Sequence, residues 1–170
     1  DNKLSFDFEY RADILPAPDD LGGLANLLFR EGVLEIIYLR PFRTMSADEV
    51  FGLYGEPDQI LVTTGDGAGY AVDLLYLTGI RIGMVSKEQS PIRWSESEDW
   101  WVDVKSDMEL FSIQYSSPAS SADIVNLFPV QMGWPNEEYD REPITSFVTP
   151  WQGYGRYTVL WVSGPPERID

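Results

Sequence analysis

Trp94-Ser-Glu-Ser-Glu-Asp-Trp-Trp-Val-Asp103 is the densest acidic and aromatic stretch of the chain. Two carboxylates across a cleft, one with its pKa raised by an apolar neighbour, can act as acid and base on a glycosidic bond. Glu96, Glu98 and Asp99 beside Trp100 and Trp101 supply the residue types, although acids crowded on one loop equally suit plain solvation. The same rings suit recognition, because Trp and Tyr offer apolar faces to pyranose rings and anchor protein contacts. Trp134-Pro-Asn-Glu-Glu-Tyr139 and Trp151-Gln-Gly-Tyr-Gly-Arg-Tyr157 are further candidates, the second setting aromatics and one Arg among turn-permitting glycines. The candidate ligand- or partner-binding residues are therefore Trp100, Trp101, Trp134, Trp151, Tyr154 and Arg156. Packing of these rings into a core is the competing account.

Other chemistries fail on residue type. The chain has no Cys and no His, which removes thiol nucleophiles, disulfides, Ser–His–Asp triads and His- or Cys-based metal sites. A Ser–Lys dyad has only Lys3, Lys87 and Lys105 to draw on, none in a nucleophile motif. Gly65-Asp-Gly-Ala-Gly69 is glycine-rich, but no Lys-Ser/Thr follows and a strand comes next, so no helix N-terminus receives a phosphate. For calcium, Asp66 offers one carboxylate, and Glu137, Glu138, Asp140 and Glu142 lack a recognised ligand spacing. No cofactor and no dedicated metal site are expected.

The 28 acidic and 12 basic residues give a formal net charge of −16. A field of that sign repels nucleic acid and anionic membrane surfaces and steers basic protein partners. No apolar run approaches the roughly 20 residues that span a bilayer, so no membrane insertion is expected within the chain. It starts at Asp1, with no basic segment followed by an apolar one, and the expectation is that a signal peptide has been removed.

The elements that must carry these residues are read from periodicity. Leu4–Tyr10 alternates apolar and polar as a half-buried strand does. Leu21, Leu24, Ala25 and Leu28 recur at helical spacing and predict a helix over Asp19–Phe29. A hairpin of Asn26–Arg30 with Val33–Leu39, turned at Glu31-Gly32, is the rival. Val33–Leu39 itself reads as a strand. Ser46-Ala-Asp-Glu-Val50 is the clearest signal: Ser46 caps a helix, Glu49 closes a capping box, Val50, Leu53 and Tyr54 form the buried stripe, and Gly55 and Pro57 stop it. Gln59–Thr64, Tyr70–Leu77 and Ile80–Val85 predict a three-stranded meander. Ser86–Asp99 reads as an exposed connection and Trp101–Lys105 and Glu109–Tyr115 as strands. A second short helix is predicted at Ala122–Phe128, irregular chain at Val130–Ser146, a last strand at Arg156–Val162, and a tail at 163–170. Ser121-Ala-Asp-Ile-Val125 echoes Ser46-Ala-Asp-Glu-Val50, and both follow a strand. Duplication into two related halves is one account; a shared liking of helix openers for Ser-Ala-Asp is the other.

Met45-Ser-Ala-Asp-Glu-Val50, Leu53-Tyr-Gly-Glu-Pro57 and the strand pairs that follow, over residues 45–85, resemble the small α/β modules of bacterial envelope lipoproteins of the SmpA/OmlA type. In that family a short helix ends at a Gly-x-Pro turn and leads into an antiparallel sheet. The resemblance implies an exported, lipoprotein-like domain that holds protein partners and catalyses nothing; no functional residue is carried over from it.

The expected fold is α+β: one domain over 1–162 with an antiparallel sheet of six to eight strands and two or three short helices packed on one face. The expected function is a non-catalytic envelope or extracellular domain that binds another protein as a subunit or accessory of an assembly. Its sheet edges at Leu4–Tyr10 or Arg156–Val162 are open to a partner strand. A carbohydrate-binding module using the Trp and Tyr clusters is the alternative, and a carboxylate-dependent glycan hydrolase comes third. A coplanar, solvent-facing row of tryptophans favours glycan, and a scattered set favours a scaffold.

Overall fold

In a computed structural model, which describes residues 2–9, 22–30, 32–64, 70–87, 92–94, 100–117 and 147–161, Ser46 caps α1 (Ala47–Tyr54). The Ser46 side chain accepts from the Glu49 backbone N–H at 3.3 Å, and the Glu49 carboxylate accepts from the Ser46 backbone N–H at 2.7 Å. Those bonds from Ser46, its backbone N–H first and its hydroxyl second, hold the Glu49 carboxyl below its usual range. Gly55, at φ 78°, ends the helix, and its N–H donates to the Phe51 carbonyl. The buried stripe differs from the expected one. Ala47 and Val50 are buried, Phe51 and Tyr54 are partly so, and Leu53 is 39% exposed. Over only two turns, the angle at which α1 meets the sheet decides which residues are covered.

Among the described residues twelve strands accompany this helix: β1 (Asn2–Glu9), β2 (Gly22–Arg30), β3 (Val33–Pro41), β4 (Gln59–Thr64), β5 (Tyr70–Tyr76), β6 (Ile80–Val85), β7 (Ile92–Trp94), β8 (Trp100–Val104), β9 (Glu109–Ser116), β10 (Thr149–Pro150), β11 (Gly155–Thr158) and β12 (Leu160–Trp161). Nine form one sheet in the order β1-β2-β3-β9-β6-β5-β4-β10, with β12 also on β4; β11-β8-β7 form a second. Every pairing is antiparallel except β12 with β4. The fold is β-rich, which corrects the α+β expectation of two or three helices: the described residues contain one α-helix. Asp19–Phe29 accounts for part of the difference, since its residues 22–29 lie in β2 as the hairpin reading required. Gly22 and Gly23 each weaken a helix by about 1 kcal/mol, and as a strand the segment is laddered on both sides, to β1 and to β3. The Ser86–Asp99 connection contains β7, and the single last strand is two, β11 and β12, separated at Val159. The expected Ala122–Phe128 helix, and with it the second half of a duplication, lies outside the described residues, as do the tail and the 65–69 loop. No helix among the described residues is long and apolar enough to cross a membrane.

The central strands of the larger sheet are buried on both faces. One face carries Leu39, Val62, Val72, Leu74, Ile82, Met84 and Ile113 into a core shared with Ala47 and Val50 of α1 and with Val102, Val104 and Tyr157 of the small sheet. The alternate residues Ile36, Leu61 and Leu75 are equally buried on the other face. This explains the unbroken apolar runs Ile60-Leu-Val62 and Leu74-Leu-Tyr76, since a strand covered on one side alone would alternate. α1 joins the sheet through β9 and the residues before it: Ala47 N–H donates to the Met108 carbonyl at 2.9 Å, and Leu110 N–H to Met45 at 2.7 Å. Tyr76 donates to the Gly55 carbonyl at 3.0 Å, and the Tyr54 and Tyr115 hydroxyls meet at 2.7 Å. At the β5–β6 turn Gly79 has φ 96°, and a Cβ there would run into the Ser116 carbonyl oxygen, so the tight turn against β9 requires glycine.

The second face holds an ion pair. Arg81 grips Asp73 with a two-point fork, Nε to Oδ1 at 2.9 Å and Nη2 to Oδ2 at 2.8 Å, with side chains only 6% and 4% exposed. Gly83 lies directly opposite Asp73, and a Cβ there would run into the Ser112 hydroxyl. Removing one partner strands a charge in a dry interior, at about 3–5 kcal/mol. Asp73→Ala should therefore lose stability of that order in urea denaturation, and Asp73→Leu combined with Arg81→Met should lose less than either single change. A double variant as unstable as the sum of the singles would contradict this account.

Candidate functional site

The aromatic residues expected to bind a partner separate into two groups with different surroundings. The first forms where the 149–159 segment crosses α1. Trp151, placed just after β10 by its N–H bond to the Asp58 carbonyl at 3.1 Å, lies parallel to Tyr157 (centroids 5.8 Å apart, planes at 8°). It meets Phe51 and Tyr154 edge-on at 5.3 and 5.8 Å. Tyr154 stacks on Phe51 at 5.5 Å and donates its hydroxyl to Asp48 Oδ1 at 2.6 Å. Tyr157 closes the turn on itself, donating to the Gly153 carbonyl at 2.7 Å while accepting from the Gln152 N–H at 2.9 Å. Gly153, at φ 89°, supplies the left-handed residue that this turn needs.

This group is a clamp between the segment and α1. Edge-on and offset ring pairs are worth about 0.5–1.5 kcal/mol each beyond their burial. Trp151 is partly buried with its Nε1 enclosed and unpaired among the described residues, and Tyr154 is 42% exposed. Burial first, and the bond to Asp48 second, push the Tyr154 phenol above its usual range. Burial raises Tyr157 as well, partly offset by the Gln152 N–H.

The second group lies on the small sheet. Successive residues of a strand face opposite ways: Val102 and Val104 are buried, and Trp100 packs against the same core. Trp101 and Asp103 therefore occupy the outward face. There the Arg156 guanidinium lies 4.0 Å from the centroid of the Trp101 ring. Arg93 and Thr158 are the direct strand neighbours of Trp101, and Arg93 reaches Asp103 at 3.6 Å. Exposed cation–π contacts of this kind contribute about 0.5–1 kcal/mol.

Of the six expected residues, Trp151 and Tyr154 come together in the clamp, Trp101 and Arg156 on the outward face, and Trp100 turns into the core. Trp134 lies outside the described residues, as do Glu96, Glu98, Asp99, Asp66 and the acidic group 137–142. Phe51, Asp48, Arg93 and Thr158 were missed, and Tyr157 entered only as the end of the Trp151–Tyr157 segment. Asp48 and Phe51 sit three apart beside the capping box, but nothing local ties them to a segment a hundred residues away. Chemically, the described carboxylates at these two places are engaged, Asp48 by Tyr154 and Asp103 by Arg93, and no group of three metal-ligating side chains occurs among the described residues. The arrangement offers the exposed Tyr154 ring, the half-buried Trp101 ring with its Nε1 enclosed, and one stacked guanidinium, which suit recognition.

The raised phenols set a pH window. The folded state favours neutral Tyr154 and Tyr157, so the clamp contributes its full stability below the ordinary tyrosine pKa of about 10 and loses it as pH rises beyond that. An alkaline titration followed by tyrosinate absorbance should show late-ionising groups that diminish on Tyr154→Phe, a change costing about 1 kcal/mol. Ionisation of every tyrosine near pH 10 in the folded protein would contradict the clamp.

No protein-family model, curated protein or solved structure matches this chain.

Proposed function

We propose that this chain is a non-catalytic domain of an exported, envelope or extracellular protein, and that it binds another protein as a subunit or accessory of an assembly. The observation that carries the reading is the outward face of the small sheet, where the Trp101 ring holds the exposed guanidinium of Arg156. Trp and Arg are the residue types that most often anchor protein interfaces, because each combines a large apolar area with a polar or charged tip. A stacked Arg156 is held in place before a partner arrives, which lowers the ordering cost of association.

The distribution of the tryptophans also supports this reading over the glycan one. Trp100 and Trp101 face opposite ways on one strand and Trp151 is enclosed by the clamp. The three therefore do not make the coplanar, solvent-facing platform that successive sugar rings need.

Cross-linking of the tagged chain in its native host, followed by co-purification and mass spectrometry, should recover a stoichiometric protein partner. Trp101→Ala should reduce that recovery several-fold while leaving the fold intact by circular dichroism. Recovery of the chain alone would overturn the reading, and binding to a glycan array that is lost on Trp101→Ala would replace it with the carbohydrate one.

A further inference from the structure

Val159 N–H donates to the Trp100 carbonyl at 3.0 Å, and this one bond fixes the phase of the β11–β8 ladder. Hydrogen-bonded and non-hydrogen-bonded residue pairs alternate along an antiparallel ladder. With Val159 and Trp100 in the bonded set, Tyr157↔Val102 and Gly155↔Val104 join it, while Arg156↔Asp103 and Thr158↔Trp101 form the other set. The peptide groups of Arg156 and Thr158 therefore point away from β8. Among the described residues β11 pairs with β8 alone, so with respect to those residues these groups form a free edge. Both residues are exposed on the outward face beside Trp101. Arg156 stacks on that ring and makes no salt bridge among the described residues.

We propose that the β11 edge takes an extended segment of the partner protein as an added strand, and that this segment presents one carboxylate opposite Arg156. The inference rests on the protein-binding reading above and gives it a site and a partner chemistry. Backbone groups of Arg156 and Thr158 supply the main-chain bonds, and side chains at alternate positions supply the choice of sequence. A residue opposite Arg156 in the added strand projects onto the same face, within reach of a guanidinium suited to two-point carboxylate binding. The net charge of −16 repels a segment that is acidic throughout. It leaves neutral or basic residues around a single Asp or Glu as the favoured pattern, so the position of the carboxylate sets the register.

The test is a random linear-peptide library displayed on phage, selected on the whole chain and counter-screened on Arg156→Glu and Thr158→Pro. Proline removes one outward N–H and is tolerated on a sheet edge; Arg156→Gln substitutes if the charge reversal unfolds the protein. Enriched peptides should carry one acidic residue in an alternating pattern and lose about tenfold or more in affinity to each variant. They should also slow hydrogen exchange at the Arg156 and Thr158 amides. Peptides that bind both variants like the wild type, or that protect amides elsewhere, would overturn the β11 site and reduce Arg156 to a charge that keeps a short edge from aggregating. In that case the protein-binding reading would survive. A library that yields no binder would also overturn the β11 site, whereas the protein-binding reading is decided separately by co-purification.

Discussion

Both edges of β9 are occupied, by β3 on one side and β6 on the other, and this pairing joins the β1–β2–β3 hairpins to the β4–β5–β6 meander. Without it the chain would be two small antiparallel units, each with an open apolar flank. A register shift between Gly83 and Met84 leaves Phe111 of β9 without a partner on β6, as in a β-bulge. α1 depends on the same strand, since the N-terminal turn that Ser46 caps is hydrogen-bonded to Met108 and bridged to Glu109. The helix thus draws its stability from the sheet, as expected of eight residues that would be marginal alone.

A sheet covered on both faces has no solvated side on which polar residues can stand. Asp73 and Arg81 resolve this for one charge pair by satisfying each other. Gln114, opposite Arg81 in register and 2% exposed, has neither amide atom paired among the described residues. An unpaired buried amide costs about 1–3 kcal/mol, which the apolar residues buried on the same face of the sheet, Ile36, Leu61 and Leu75, offset at about 1.5–3 kcal/mol apiece.

The aromatic residues divide between holding the fold and meeting solvent, and the strand period decides which does which. Adjacent Trp100 and Trp101 take opposite duties because one residue step on β8 turns the side chain from core to surface. Trp151 and Tyr154 are committed to α1 by stacking and by the Asp48 bond. The overall charge points to basic partners, whereas the half-buried Trp101 ring on the outward face carries an arginine. A net charge describes the far field, and an interface is governed by the few groups within contact distance.

The sequence by itself determined the local units: the capped helix at Ser46, the β4–β5–β6 meander, and strand character at β1, β3, β8 and β9. Each of these rests on signals within a few residues, namely a capping box, a Gly turn or a run of β-branched side chains. Only the tertiary structure decided that 22–30 is a strand, because helical spacing and strand pairing compete there and the two flanking ladders tip the balance. It also decided that Leu53 is exposed, that β11 and β12 part at Val159 to join different sheets, and that Asp48 and Phe51 meet Tyr154 and Trp151. Those outcomes depend on contacts between residues distant in the chain, whose free energy exists only once both sides are in place.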